Sequence, residues 1–456
     1  MNTAYIRKLT ALLLLATATS VQPLVAKEQE PEPPKKEISD KVSDDLGKLK
    51  EKVDAKDYDG AVNLLNEVLT KVAPDTYDLA MVSQIKAQIL LTESKYADAI
   101  PALITAQDLG DRYGFFDKRQ QMERLYLLGQ IHYQLAADAK DPQKQDALFT
   151  QAYKYIHDWL SANPKPTSEG YLFAASVLYA HGTINPNKPN IEFLRQAVAQ
   201  AREALYLSIR PSDQNYLMLL AGLQQLGDHP ASAEILELLV DRDPQKVVYW
   251  QQLASSYLTM ASETSDPKEI HHLQLRTIVT MQRAQSHGLM NAPKDNLNLV
   301  SLLFNLEQYS KAAELLSTEL DSGKIENTRT NWEMLGLAYQ QAGKEDQAIH
   351  SLLKAADLFP TEGQLELSVS QLYYGDGNSE QAFVHLQKAV AKGNLKKPGS
   401  AYLFLGLTAY ELQKFEDALK WAAAAAKEPD VKPEDAKRLA RAASEAMKEQ
   451  SDAKHI

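Results

Sequence analysis

A spacing of 34 residues constrains this chain more than any other feature. Tyr339, Ala348, Leu352 and Ala355 are followed 34 positions later by Tyr373, Ala382, Leu386 and Ala389. The same interval separates Tyr216 from Trp250. Self-similarity at a fixed period of this size marks a repeat architecture, in which each unit buries its apolar face only against its neighbours. Within a unit the apolar residues recur at helical spacing, and alternating β-branched runs are missing, so every unit reads as helical.

The unit is clearest at 329–362. Trp332, Leu335, Gly336 and Tyr339 fall on one helix, Ala348, Leu352 and Ala355 on a second, and Pro360 closes the unit. Gly336 in a helix interior costs about 1 kcal/mol relative to Ala, which predicts close approach of the partner helix. Ala348 is the small residue expected opposite it. Tyr402, Leu405, Gly406, Ala418, Ala422 and Ala425 repeat the unit two residues late. Upstream, 213–246 supplies Tyr216, Leu219, Leu236, Leu239 and Pro244, and the next unit opens with Trp250, Leu253 and Tyr257. Its second helix arrives late, at Thr277, Met281 and Ala284, and a similar delay separates Leu128, Gly129 and His132 from Ala152, Ile156 and Trp159. Degenerate units at 43–71, 77–108, 168–210 and 295–320 complete the array.

These spacings match the tetratricopeptide pattern W-x2-L-G-x2-Y, a small Ala, and a closing Pro. The expected fold is therefore all-α: a right-handed α-solenoid of about ten tetratricopeptide-like helix pairs with a C-terminal capping helix. Divergent repeats occupy 43–211 and clearer ones 212–427. Residues 428–456 form the cap and tail: Pro433 and Glu434 open a helix, Ala436, Leu439, Ala440, Ala443 and Met447 face inward, and Lys437, Arg438 and Lys448 face water.

Residues 1–26 read as an export signal. Arg7 and Lys8 precede the apolar run Leu9 to Ala18, which is shorter than the roughly 20 residues a membrane span needs. Cleavage after Ala26 is favoured over cleavage after Ala18, and an uncleaved interfacial anchor is the alternative. No later segment is long and apolar enough to span a bilayer. Residues 27–42, with Pro31, Pro33 and Pro34 among Glu and Lys, read as a solvated linker. Loss of Arg7 and Lys8 would take the formal charge from −11 to −13. Such a chain is poorly suited to nucleic acid, whose phosphates must be neutralised by Lys and Arg. The chain has no cysteine, which excludes disulfides, thiol nucleophiles and thiolate metal sites.

From about 47 to 427 the chain resembles the periplasmic tetratricopeptide proteins of Gram-negative bacteria assigned to TonB systems. The resemblance rests on Asp57-Tyr58-Asp59-Gly60-Ala61, Tyr249-Trp250-Gln251-Gln252-Leu253-Ala254, Asp321-Ser322-Gly323-Lys324-Ile325-Glu326 and the long segment from Lys392 through Pro398 and Gly399 to Gly406. It implies a periplasmic accessory in energised uptake across the outer membrane, with TonB-system proteins as partners. The chain departs from that group through hairpin loops expected near 137–147, 182–190 and 261–271.

No catalytic or cofactor constellation emerges, so the expectation is a binding scaffold, not an enzyme. A phosphate loop, a Gly-rich dinucleotide turn, H-E-x-x-H and G-x-S-x-G are all missing. His271-His272 lacks further ligands at metal-site spacing and reads as a solvated helix start. His132, His229, His350 and His385 read as packing or surface residues. With Gly60 at position 6 of a calcium loop, Ala55 and Asn66 would hold positions 1 and 12, so that reading fails. Asp57 to Gly60 instead reads as a turn between helices.

In tetratricopeptide arrays the first helix of each pair lines a groove through repeat positions 2, 5, 9, 12 and 13. Carried onto this sequence, those positions offer Gln224, Gln225, Gln251, Glu333, Gln340, Gln341, Gln371, Tyr374, Tyr410 and Glu411. Lys and Arg are missing from them, so the carboxylate clamp of chaperone-binding relatives is not matched. Amides and tyrosines suit an extended, neutral or basic, Pro-containing protein segment. A merely solvated polar face is the equal alternative. At the level of function, the alternative is a self-associating assembly or cell-wall scaffold.

Overall fold

The computed structural model describes residues 35–453. Residues 1–34, which hold the export-signal segment and most of the expected linker, lie outside the described residues. Among the described residues there are 21 helices and no strand. The chain divides into two compact units, the division falling between Ile235 and Leu236.

The first unit contains α1 (Asp40–Asp54), α2 (Tyr58–Leu69), α3 (Tyr77–Thr92), α4 (Tyr96–Tyr113), α5 (Lys118–Asp138), α6 (Pro142–Ala162), α7 (Ser168–Gly182), α8 (Ile191–Tyr206), α9 (Asp213–Gln225) and the start of α10 (His229–Arg242). The second contains the rest of α10, then α11 (Val247–Glu263), α12 (Pro267–Ser286), α13 (Pro293–Asn305), α14 (Tyr309–Asp321), α15 (Arg329–Gln341), α16 (Glu345–Leu358), α17 (Gly363–Gly375), α18 (Ser379–Lys392), α19 (Pro398–Glu411), α20 (Phe415–Ala425) and α21 (Pro433–Ala453). Odd-numbered helices from α1 to α19 are the first members of pairs, and α21 packs on α20 and α19 as the terminal element. Helix α1 starts three residues before the expected end of the linker, because Val42 is already buried against α2 and α3.

One turn recurs within the pairs. Lys56, Ser94, Gly227, Glu307, Gly343, Gly377 and Gln413 all adopt positive φ. In each case the next residue donates its N–H to a carbonyl five positions back, as Lys344 does to Tyr339 (2.9 Å) and Lys414 to Ala409 (2.8 Å). This is the Schellman closure, which satisfies carbonyls orphaned at a helix end. The donor residue then precedes the second helix, and Asp57 and Asn378 cap it through their side chains, onto Gly60 and Gln381. Gly60 therefore lies in the first turn of α2; the turn itself is made by Lys56.

The two delayed pairs correct the loop expectation. Near 137–147 and 261–271 the extra residues lengthen both helices, leaving connections of only 139–141 and 264–266. Asp141-Pro142 and Asp266-Pro267 start the second helices, each Asp accepting from the backbone N–H two residues on. Pro at the first helical position loses no intrahelical bond, so an Asp-Pro pair is a strong start signal. Only 183–190 is an irregular connection of the kind expected.

Packing follows the repeat. Trp332, Leu335, Gly336, Ala348, Leu352 and Ala355 are buried, Tyr339 is half-buried and Pro360 is exposed just beyond α16. They join a continuous apolar cluster running from Ala254 to Leu372. A methyl group on Gly336 would lie 2.7 Å from Cγ and Cδ2 of Leu352. The notch is filled by Leu352, not by Ala348 as the sequence suggested. In α21, Ala436, Leu439 and Ala443 are buried and Ala440 is half-buried, but Met447 is exposed. Helix α21 is longer than α20, and Met447 lies one turn beyond Ala443, the last buried apolar residue of α21 among those described. No helix among the described residues is long and apolar enough to cross a membrane.

A charged cluster that the sequence reading did not foresee sits in the second unit. Glu366 of α17 is buried, as is His385 of α18, and His385 Nδ1 donates to Glu366 Oε2 at 2.7 Å. Lys392 Nζ lies 2.9 Å from the other carboxylate oxygen and also donates to the Ala356 carbonyl. Burial raises the Glu366 pKa, but the bonds from His385 and Lys392 outweigh it and leave it at about 2. The ring of Tyr373 stacks on His385 at 5.4 Å.

Candidate protein-binding face

The exposed stripe of each first helix is set by what its buried stripe must do. In α15, Trp332, Leu335, Gly336 and Ala338 face the core. The positions left outward are Thr330, Leu337, Gln340 and Gln341, with Glu333 and Met334 half-covered. The same register recurs in α19, where Leu405, Gly406, Thr408 and Ala409 are buried and Ser400, Leu407 and Glu411 are exposed.

Gln224 and Gln225 are exposed on the last turn of α9, in the first unit. The other candidates belong to the second. Gln251, Gln340, Gln341 and Gln371 are exposed on α11, α15 and α17. Glu333 is half-buried: its Oε1 makes no hydrogen bond and lies 3.7 Å from Nε of Arg329, one turn earlier. Arg329 is further tied to Glu362 at 3.1 Å. The structure brings Tyr374 and Glu411 together. The Tyr374 hydroxyl donates to Glu411 Oε1 at 2.5 Å, and Ser379 Oγ donates to Oε2 at 3.2 Å. That carboxylate, together with some desolvation, raises the Tyr374 pKa. Tyr374 also meets the Phe404 ring edge-on at 5.0 Å. Tyr410 is half-buried against Phe415.

The polar candidates are only half of this face. Leu217 on α9, Val248 and Leu258 on α11, Leu337 on α15 and Leu407 on α19 occupy the same repeat positions and are exposed, Leu337 at 46% and Leu407 at 43%. Sequence reasoning selected polar residues at these positions and passed over the aliphatic ones, although the register already marked them. In α11, α13, α15, α17 and α19 together, only Lys294, Glu333 and Glu411 are charged at these positions.

The face ends in a recess. Leu403, Phe404 and Leu407 form its floor, and Val431 and Lys432, from the strap leading into α21, form a wall; its volume is about 330 Å³. Asp430 locks the strap by accepting from the N–H groups of Gly399 (3.0 Å) and Ser400 (2.8 Å) and from the Ser400 hydroxyl (2.8 Å). Only glycine fits at 399, since a methyl there would sit 2.5 Å from Cβ of Glu428 and 2.9 Å from Val431. His271 and His272, by contrast, are exposed on the early turns of α12. Among the described residues no group of three or more His, Asp or Glu is placed to hold a metal ion.

Paired helices closed by this turn, with an uncovered first-helix face, define a helical-repeat scaffold. Residues 370–433 match the tetratricopeptide repeat family model, so the segment from α17 to the start of α21 is of that kind. Tetratricopeptide proteins generally mediate protein–protein interactions. No curated protein sequence matches the chain. Solved structures with similar helical arrays include MamA, at 18% identity and a TM-score of 0.27 over 38% of this chain and 94% of that one. YrrB, described as a TPR protein with an unusual peptide-binding site, matches at 16% and 0.31 over 47% of this chain and 99% of that one. A Naa15/Naa10 complex bound to HypK-THB matches at 13% and 0.25 over 84% and 68%. At these scores the likenesses support no transfer of function.

Proposed function

We propose that this protein is a periplasmic scaffold that binds another protein through the first-helix face of its second unit, and that it serves a TonB-type outer-membrane uptake system. The observation that carries the binding role is that exposed Leu258, Leu337 and Leu407 share the first-helix groove positions with exposed Gln251, Gln340, Gln341 and Gln371. Exposed aliphatic side chains at groove positions of several first helices, Leu337 and Leu407 at one of them and Leu258 at another, supply apolar surface that a partner can cover. The basic and apolar N-terminal sequence supports export. The family-like segments at 249–254, 321–326 and 392–406 support the uptake role. The test is in-cell photocrosslinking from position 371 or 407, with position 347 on α16 as control, followed by mass spectrometry. Recovery of TonB-type inner-membrane proteins or their receptors from 371 and 407 alone supports the reading. Recovery of no protein from either position, or a cytoplasmic location of the chain, rejects it.

A second reading, self-association, is favoured by exposed Leu238 on α10 and by Leu275 and Val279 on α12. Light scattering across a dilution series separates the two: a monomer at every concentration rules out the self-associating scaffold.

A further inference from the structure

We infer that the segment bound on this face is uncharged and extended, and that it places one aliphatic or aromatic side chain in the recess over Leu403, Phe404 and Leu407. The inference rests on the binding role proposed above and names the chemistry of its partner.

Charge is the first argument. The chain carries 60 acidic and 49 basic side chains, yet the face is almost free of both. Its two carboxylates have neighbours already: both oxygens of Glu411 accept hydrogen bonds, from Tyr374 and Ser379, and half-buried Glu333 lies 3.7 Å from Arg329. A Lys or Arg laid here would lose hydration and find Glu411 as its one exposed counter-charge at these positions, and an Asp or Glu would meet few cations, Lys294, Arg329 and Lys432. The sequence alone allowed a neutral or basic ligand. The sparse charge of the face favours the neutral one.

Hydrogen-bonding capacity is the second argument. Gln340, Gln341 and Gln371 each present a donor and an acceptor to solvent. A helix has already satisfied its own N–H and C=O groups, whereas an extended backbone presents both at every residue and can pair with such amides. The third argument is shape. The recess is open, its floor is apolar, and its wall is fixed by Asp430, so it accepts a side chain with little rearrangement. Tyr374, held by Glu411, borders the recess through its contact with Phe404.

The experiment is selection of a phage-displayed random 12-residue library on the purified chain, beside Leu337→Ser and Leu407→Ser variants. Both leucines are exposed, so these variants keep the fold, which circular dichroism checks. Selected peptides should be depleted in Asp, Glu, Lys and Arg, should contain a Leu, Ile, Phe or Met, and should bind Leu407→Ser at least tenfold more weakly. Their Kd should change less than twofold between 50 and 500 mM NaCl. Enrichment of charged peptides whose affinity falls tenfold over that range, equal enrichment on Leu407→Ser, or no enrichment at all overturns the inference. Crosslinking of a partner at 371 and 407 alongside any of these results would leave the binding role standing and remove only the uncharged segment.

Discussion

His385 donates a 2.7 Å hydrogen bond to Glu366, and both side chains are buried between α17 and α18. Lys392 takes the second carboxylate oxygen, so the ionised form of Glu366 is held from two sides. Its pKa falls to about 2 from an ordinary 4.5 although burial acts in the opposite direction. A group whose pKa is lowered on folding stabilises fully above its unfolded value. That stabilisation should therefore be complete above pH 4.5 and be lost as the pH falls toward 2. Urea denaturation of the wild type and Glu366→Gln at pH 7, 4 and 3 should show a gap that narrows across this window; parallel curves would refute the assignment. Glu366→Ala leaves Lys392 and His385 without their partner and should cost about 3–5 kcal/mol at neutral pH, as broken buried pairs do.

Gly336 and Leu352 should be coupled. Ala at 336 gains about 1 kcal/mol of helix propensity, but a Cβ there overlaps Leu352 and should cost about 1–3 kcal/mol. Leu352→Ala by itself should cost about 2–5 kcal/mol through the cavity it leaves. In the double variant the new methyl enters that cavity, so the sum of the single effects should exceed the combined one. Additive values in thermal denaturation would place Leu352 elsewhere.

The repeated turn makes opposite predictions at two equivalent positions. Gln413 holds φ 58 and Gly343 holds φ 68 in the same closure. Left-handed backbone costs a residue with a Cβ about 1–2 kcal/mol, so Gln413→Gly should stabilise by about 1 kcal/mol, and Gly343→Ala should destabilise by a similar amount. Chemical denaturation of the two variants checks the sign.

Gly399→Ala should push the strap away from α19 and break the lock made by Asp430. Amide exchange should then rise in 428–446, while α15 and α16 keep their protection. Unchanged exchange in the strap would mean that Gly399 is not what admits it.

The pattern of the sequence determined the helix pairs, their number and the terminal cap. The reason is that a 34-residue unit buries its face only against copies of itself, so Trp332, Leu335, Gly336, Ala348 and Ala355 had to be core wherever the array was placed. The outward register of Gln340, Gln341 and Gln371 followed from the same periodicity. Two kinds of feature were decided only by tertiary structure. Whether extra residues become loop or helix depends on where a left-handed turn residue falls, and at 139–141 and 264–266 an Asp-Pro start took its place. Which polar groups meet depends on distances between helices far apart in sequence. Tyr374 finds Glu411, Glu366 finds His385 and Lys392, and Asp430 reaches back to Gly399 and Ser400. No spacing within one helix encodes such a pair, because its geometry exists only once neighbouring repeats have packed.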